Sequence, residues 1–246
     1  MTDTHQADVY THGHHDSVLR SHRWRTAENS AAYLLPALQP GQTLLDVGCG
    51  PGTVTVDLAS RVAPGAVVGL DRSERVLEIA REEAANAGAD NVTFQVGDAY
   101  ALPFPDASFD VVFTAYGAIP FVPDAGRVHA EAARVLRPGG RWVCSVTHPV
   151  RWAFPDDPGE RGLTADRSYF ARRPYVERDE RGRVLYAEYH RTIGDHGADM
   201  VGAGLVLDRV VEPSWPEDND RTWGGWSPLR GRHLPGTAIF VAHRPA

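Results

Sequence analysis

The chain contains no lysine: all 25 of its basic residues are arginine, and 32 acidic residues outnumber them. The formal net charge is −7 at pH 7, and no run of basic residues occurs. Proteins that bind DNA, tRNA or rRNA need a basic surface that neutralises phosphates. The composition therefore argues against a nucleic-acid partner and favours a small or neutral ligand. Exclusive use of arginine is typical of codon bias in a high-GC genome.

Cysteine and long apolar runs are also scarce. The two cysteines, Cys49 and Cys144, fall in or beside expected core strands, so no disulfide framework is predicted. No apolar segment approaches the length that crosses a bilayer, and the first residues lack the pattern of a signal peptide. We therefore expect a cytoplasmic protein with no membrane partner. The 246 residues, 42% of them hydrophobic, can bury one good core.

Glycine, by contrast, is concentrated at one point. Residues 44–53 read LLDVGCGPGT, an apolar run followed by alternating glycines at 48, 50 and 52. This pattern predicts a buried strand, a tight turn and the start of a helix, whose free N–H groups face the turn. Open α/β sheets bind ligands at the carboxyl ends of their strands. The segment therefore predicts a site for a nucleotide-type cofactor.

The spacing of the glycines narrows the choice of cofactor. A dinucleotide fingerprint reads GxGxxG, whereas here the third glycine, Gly52, comes one residue early and gives GxGxG. The next apolar run, 66–70, ends in Asp71, a carboxylate able to accept hydrogen bonds from both ribose hydroxyls. A third run, 91–96, leads into Asp98 and Ala99.

Two more segments complete the pattern. Residues 102–110 read LPFPDASFD before an apolar strand, and residues 134–143 read RVLRPGGRWV, a helix end and a Pro-Gly-Gly turn. In this order, the motifs resemble those of class I S-adenosylmethionine (SAM)-dependent methyltransferases, especially the ubiquinone/menaquinone-biosynthesis type and related bacterial enzymes of specialised metabolism. The resemblance is close over residues 30–148 and loose elsewhere. It implies SAM as cofactor and methyl transfer to a small-molecule acceptor.

The resemblance also implies roles for individual residues. Asp71 would bind the ribose, Asp98 would accept from the adenine amino group, and Arg72 would lie over the adenine face. Asp46 either bonds the turn's own N–H groups or reaches the cofactor's amino group through water, and Cys49 is expected to pack rather than react. Taken alone, Asp71 and Asp98 are each better explained as ordinary strand-end acids, solvated or capping the next helix; it is their joint position after a glycine-rich turn that favours cofactor binding. The full set of expected cofactor-binding residues is Asp46, Gly48, Cys49, Gly50, Asp71, Arg72, Asp98, Ala99 and Ala115.

Methyl transfer from the sulfonium of SAM depends more on alignment of the acceptor than on activation of the methyl group, because the leaving group departs neutral. A general base helps only where the acceptor must lose a proton. His148, directly after the fifth strand, and Tyr116, after the fourth, are the candidate catalytic residues. The alternatives are that His148 bonds a neighbouring loop and that Tyr116 only packs.

Two groups of residues near the start of the chain are candidates for ligand binding. One of Arg20, Arg23 and Arg25 could pair with the cofactor carboxylate, although a solvated helix face explains each of them. The histidines at 12, 14 and 15 lack an acid or cysteine framework, so we expect no metal.

Alternating strands and helices predict an α/β fold with a doubly wound, Rossmann-like sheet. We expect seven mostly parallel strands, a terminal antiparallel strand and an inserted cap. The predicted segments are 1–40, helical and over the cofactor site; 41–148, the SAM-binding core; 149–192, the substrate cap with a hairpin in 175–190; and 193–246, which completes the sheet. The expected later elements are helices 54–62, 73–87, 126–136 and 193–201 and strands 205–211 and 237–243.

Some alternatives stay open. Trp215, Trp223 and Trp226 lie in a glycine-rich loop and could line an acceptor pocket, anchor the loop or form a homodimer contact. A second functional class is an NAD(P)-dependent oxidoreductase, although its short-chain form needs a Tyr-x-x-x-Lys pair that a chain without lysine cannot supply. A third is a SAM-binding protein without transferase activity.

Overall fold

The computed structural model describes residues 24–246, which are built around a seven-stranded sheet and a separate hairpin. The strands are β1 Leu44–Val47, β2 Val67–Asp71, β3 Val92–Val96, β4 Phe109–Ala115, β5 Leu136–Thr147, β6 Tyr175–Arg178, β7 Val184–Glu188, β8 Val206–Val211 and β9 Thr237–His243. The α-helices are α1 Ala27–Ser30, α2 Thr53–Val62, α3 Glu74–Ala87, α4 Ala125–Val135, α5 Ile193–Gly202 and α6 Pro228–Gly231. Short 3₁₀ helices cover Leu35–Ala37, Ile119–Phe121, Pro149–Ala153 and Glu160–Leu163.

The strand order is β3-β2-β1-β4-β5-β9-β8. The first five strands in this order run parallel, and β9 lies antiparallel between β5 and β8. This confirms the predicted doubly wound sheet with a terminal antiparallel strand. Because the order reverses between β1 and β4, a crevice opens at their carboxyl ends, where such sheets bind ligands.

Helices cover both faces of the sheet and bury its central strands. All four residues of β1 are buried, Asp46 included, which explains why this strand does not alternate between apolar and exposed polar residues. One core cluster joins the sheet to α4 and α5, and a second joins the opposite face to α1 and α2. The rigid core thus holds the carboxyl ends of β1, β4 and β5 in fixed relation.

Most predicted elements are present with shifted ends. The helix predicted from 193 to 201 forms despite its glycines, because Thr192 and Asp195 make a reciprocal capping box at its start. The Pro-Gly-Gly segment lies at the start of β5, and the register with β4 shifts across it. Gly139 donates to the Arg244 carbonyl at 2.8 Å, and Arg244 donates back to Gly140 at 2.9 Å, while Gly139 itself turns at a φ of 77°.

The start of the chain is described only in part. Of the helical segment predicted over residues 1–40, the described residues contain α1 and the 3₁₀ turn Leu35–Ala37. The histidines at 12, 14 and 15, together with Arg20 and Arg23, lie outside the described residues. Within residues 24–246, no helix has both the length and the hydropathy needed to cross a bilayer.

Candidate cofactor and acceptor site

The glycine-rich turn lies between β1 and α2, and its glycines at 48, 50 and 52 all adopt positive φ angles of 74°, 57° and 80°. A Cβ atom on Gly48 would lie 3.1 Å from the backbone of Gly117 and of Ala118, in the loop after β4. A Cβ on Gly52 would lie 2.7 Å from the Ala80 Cβ on α3. These two glycines therefore let neighbouring segments of the chain close tightly around the crevice.

Asp71 ties this turn to the end of β2. Its side chain is buried, and its Oδ2 accepts a hydrogen bond from the Gly50 N–H at 3.0 Å. Its Oδ1 accepts from the Ser73 N–H, also at 3.0 Å. A carboxylate has about four acceptor positions, so holding the turn is compatible with binding a ribose at the same edge.

Asp46 is a second buried carboxylate beside the first. Its Oδ2 accepts from the Thr55 hydroxyl on α2 at 2.7 Å, so its partner is a side chain and not the expected N–H groups of the turn. Burial raises the pKa of Asp46 to about 7, and the negative charge of Asp71 adds to the rise. Two neighbouring carboxylates in a buried crevice favour a cationic ligand.

Cys49 packs against the floor of the same turn. Its Sγ lies 3.6 Å from the Gly50 carbonyl oxygen, and a Cβ on Gly69 would lie 3.0 Å from it. Burial raises the pKa of the Cys49 thiol well above its ordinary value. The thiol therefore stays protonated at neutral pH, which suits packing and not nucleophilic chemistry.

The end of β3 lies next along the crevice. The Gly97 N–H donates to the Asp71 carbonyl at 3.0 Å, which places Asp98 beside the end of β2. The Asp98 Oδ1 accepts from the Tyr100 N–H at 2.9 Å, and its Oδ2 lies 3.9 Å from an Arg72 guanidinium nitrogen. Ala99 is buried directly after it. The expected ribose and adenine residues thus follow one edge of the sheet.

Tyr116 follows β4 and Ala115 on the other side of the crevice. Its φ of 56° is unusual for a residue with a side chain, and such strained residues cluster at functional sites. The Tyr116 N–H donates to the Ser145 carbonyl at 2.9 Å, and its hydroxyl lies 2.5 Å from the Thr237 Oγ1. The phenol is therefore held at the junction of β4, β5 and β9.

Arg25 covers Tyr116 from the N-terminal segment. Its guanidinium lies 5.1 Å from the centroid of the Tyr116 ring, and burial lowers the pKa of Arg25. Within residues 24–246, no carboxylate forms an ion pair with it. Arg25 is half-buried, and a cation withdrawn from water without an anion is costly. The site therefore suits a ligand that brings its own carboxylate.

His148 lies after β5, as predicted, but both of its ring nitrogens are engaged. Nδ1 accepts from the Val150 N–H at 3.1 Å, and Nε2 lies 2.6 Å from a Glu212 carboxylate oxygen. Because a carboxylate only accepts, the proton of the neutral ring lies on Nε2. In this geometry His148 links the ends of β5 and β8, which matches the alternative that it bonds a neighbouring loop.

The loop tryptophans differ among themselves. Trp226 is buried with its ring 4.7 Å from the Arg230 guanidinium, and Trp215 donates to the Asn219 carbonyl at 2.8 Å. Both partners lie within residues 213–235, so these two tryptophans stabilise the loop internally. Trp223 is 64% exposed and therefore remains available for another contact.

The comparisons with known proteins agree with this geometry. Residues 44–140 match the family model described as a methyltransferase domain. This segment contains the glycine turn, Asp71, Asp98 and Tyr116. The chain contains a class I SAM-dependent methyltransferase domain. The cofactor that this domain implies is SAM.

The relatives of this methyltransferase domain are named after different methyl acceptors. The chain is 48% identical over 112 residues to a demethylmenaquinone methyltransferase of Lactococcus lactis. The aligned residues are 45% of this chain and 44% of the relative. It is 36% identical over 194 residues to the 27-O-demethylrifamycin SV methyltransferase of Amycolatopsis mediterranei, 78% of this chain and 66% of the relative. The chain spans about half the length of most of the curated relatives it matches.

A solved structure extends the likeness beyond the methyltransferase domain. An S-adenosylmethionine-dependent methyltransferase from Mesorhizobium loti is 26% identical, with a TM-score of 0.68 over 89% of this chain and 98% of that one. The match therefore extends well beyond residues 44–140.

Several contacts of the site have no local sequence signal. Thr237 lies 121 positions from Tyr116, Tyr33 donates to the Ser145 hydroxyl at 2.8 Å, and Glu212 meets His148 across 64 positions. The antiparallel pairing of β9 with β5 and β8 brings Thr237 to Tyr116 and Glu212 to His148, whereas the packing of the N-terminal segment on β5 brings Tyr33 to Ser145.

Proposed function

We propose that this chain transfers a methyl group from SAM to a small-molecule acceptor. The observation that carries the proposal is the Asp71 carboxylate, which accepts from the Gly50 N–H of the glycine turn inside a methyltransferase domain. The neighbouring buried carboxylates suit a cation, and Arg25 suits a carboxylate, so the residues present fit an amino-acid sulfonium. When bound, SAM supplies an electrophilic methyl group whose leaving group departs uncharged.

The chain's own residues then have three tasks. We assign cofactor binding to Gly48, Gly50, Asp71 and Asp98 at the ends of β1 to β3. The Tyr116 phenol, fixed by Thr237, orients the acceptor and shields the reacting groups from water. The N-terminal segment around Arg25 closes over the cofactor, and residues 149–192 cover the acceptor.

His148 is the candidate for a general base. Its Nε2 carries the ring proton and its Nδ1 is held by the Val150 N–H, so Nε2 can act as a base only after it has passed its proton to Glu212. The variant His148→Ala should lower turnover far more than SAM affinity if His148 acts in this way. Unchanged turnover would leave His148 with its structural role alone.

We further propose that the protein is bacterial and works in the cytoplasm, and that a homodimer, if it forms, uses the exposed Trp223. The two free cysteines, of which Cys144 is buried, suit a reducing compartment. The acidic net charge of −7 gives no support for a nucleic-acid acceptor.

Calorimetry with SAM, S-adenosylhomocysteine and NADH tests the cofactor, and we expect heat with the first two only. Binding of NADH alone would instead favour the oxidoreductase alternative. Transfer of label from methyl-labelled SAM to a panel of phenols and 1,4-naphthoquinols then tests the reaction. Binding of SAM with no transfer to any acceptor would favour a SAM-binding protein without transferase activity.

A further inference from the structure

The strand β3 forms one edge of the seven-stranded sheet, and within residues 24–246 its only neighbour in that sheet is β2. The Gly97 N–H, directly after β3, donates to the Asp71 carbonyl at 3.0 Å, so the odd-numbered residues of this segment bond β2. The N–H and C=O groups of the even-numbered residues, Val92, Phe94 and Val96, therefore point away from the sheet. This edge offers a row of hydrogen-bonding groups to another strand.

The edge at β3 lacks the features that usually protect an edge strand from pairing. Residues 92–96 read VTFQV, without charge or proline, and they pair with β2 without a register shift. The opposite edge strand, β8, carries Asp208 and Arg209 at its centre, and its register with β9 shifts between Leu207 and Arg209. Charges and bulges of this kind prevent pairing with another chain. The contrast indicates that β3, unlike β8, is open to a further strand.

The sequence of β3 is complementary to itself in the antiparallel direction. If Phe94 lies opposite Phe94 of a second copy, Val92 lies opposite Val96, and Thr93 lies opposite Gln95. Apolar residues then meet apolar ones, and polar residues meet polar ones. The same register places the outward groups of the even-numbered residues in hydrogen-bonded pairs, which exchange about six hydrogen bonds in total. Sequence and backbone geometry therefore favour one register.

A groove beside β3 can receive a side chain of the second copy. The groove lies between β3 and the end of α3 and holds about 810 Å³ of space, open solvent included. Ala84, Ala85 and Gly88 form its helical side, and Val92 lies on the strand side. Val96, at the other end of the strand, is 46% exposed. Two-fold pairing brings Val96 of each copy to Val92 of the other, so that each exposed valine enters the partner's groove.

Phe94 holds the edge strand firmly against the rest of the sheet. A Cβ atom on Gly69 of β2 would lie 2.6 Å from the Phe94 ring, and one on Gly52 would lie 2.9 Å from it. The ring thus packs closely on β2 and on the glycine turn. Because the strand is already ordered, pairing with a second copy costs less conformational entropy.

We propose that two copies of this chain associate through β3, with the strands antiparallel and Phe94 at the two-fold axis. The two sheets then form one continuous sheet. This contact is independent of the one proposed for Trp223, because Trp223 lies in the loop after β8, which is at the opposite edge of the sheet. It is also independent of the proposed reaction.

Disulfide trapping tests the register. Thr93 and Gln95 of the two copies would form non-hydrogen-bonded pairs, whose Cα atoms lie about 4.5 Å apart, within reach of a disulfide. The double variant Thr93→Cys/Gln95→Cys should form a covalent dimer when it is oxidised, as seen on a non-reducing gel. Each single variant should form at least about fivefold less, because identical positions are diagonal neighbours about 7–8 Å apart.

The unmodified chain, with Cys49 and Cys144, gives the background of this experiment. Equal yields of covalent dimer from the single and double variants, or a double variant that gives no more than the background, would overturn the proposal.

Sedimentation equilibrium tests the association itself. Val96→Lys should raise the dissociation constant of the dimer at least about tenfold, because it buries an ammonium group against Val92 of each partner. Val206→Lys is the matched control, since Val206 is 44% exposed on the opposite edge strand, and it should leave the constant unchanged. If Val96→Lys fails to fold, the cysteine variants still decide the question. An unmodified protein that stays monomeric at 100 µM (a concentration on the order of the weak end of specific association), or a dimer that Trp223→Ser separates and Val96→Lys does not, contradicts the proposal.

Discussion

Asp71 combines two tasks in one side chain, since its oxygens hold both the glycine turn and the start of the segment leading into α3. Asp71→Asn keeps the shape but turns one acceptor into an N–H donor that faces a backbone N–H. Loss of a charge-assisted hydrogen bond is worth about 1.5–3 kcal/mol. We expect S-adenosylhomocysteine affinity, measured by calorimetry, to fall at least about tenfold. Asp90→Asn, at an exposed acid before β3, should not change it.

Arg25 allows a test that depends on which part of the cofactor it contacts. Arg25→Gln should weaken S-adenosylhomocysteine binding about tenfold, because a charge-assisted contact to the carboxylate is lost. Binding of 5′-methylthioadenosine, which lacks the amino-acid group, should not change. Arg61→Gln is the control, since Arg61 forms an exposed pair with Glu28. An equal loss for both ligands would assign Arg25 a structural role only.

Among the elements, α4 ends against the last residues of the chain. The Arg244 guanidinium donates to the carbonyls of Ala133, Arg134 and Leu136 at 3.2, 3.0 and 2.6 Å. A cation at a helix C-terminus also complements the helix dipole. Arg244→Ala should lower the free energy of unfolding, measured in urea, by about 1–2 kcal/mol. An effect no larger than that of Arg209→Ala, at an exposed position of β8, would contradict this.

The packing of α4 and α5 on the sheet should make stability depend on pH. His129 and His196 have pKa values of about 4 and 3 in the folded chain, against about 6.5 when unfolded. The unfolded chain therefore binds more protons below pH 6.5, and stability falls as the pH drops from 7 towards 4. The loss between pH 7 and 5.5 should be on the order of 2 kcal/mol.

His190, Arg191 and Asp195 also face this pair, and burial lowers the pKa of His190 as well. His196→Phe should reduce the slope of stability against pH without abolishing it. Urea titrations at pH 7.0, 6.0 and 5.5 measure the slope. An unchanged slope in the variant would show that other groups cause the pH dependence.

For the whole molecule, local patterns predicted the parallel half of the sheet, because strands, glycine turns and helix caps depend on neighbouring residues. The GxGxG spacing predicted the turn, and acids at strand ends predicted Asp71 and Asp98. The same patterns could not predict that Thr237 fixes Tyr116, that Glu212 engages His148, or that His196 lines a cleft with the cap. Each of these contacts depends on the long-range placement of β8, β9 and α5.

The central position of β9 in the last part of the sheet has a consequence for synthesis of the protein. Its seven residues, Thr237–His243, are made after both β5 and β8, yet they separate these two strands in the sheet. Until they leave the ribosome, β5 keeps an open edge and β8 has no neighbour, while domains otherwise fold from the N-terminal side during translation. A stalled or shortened chain would therefore expose unpaired strand edges, and we expect chaperones to bind it.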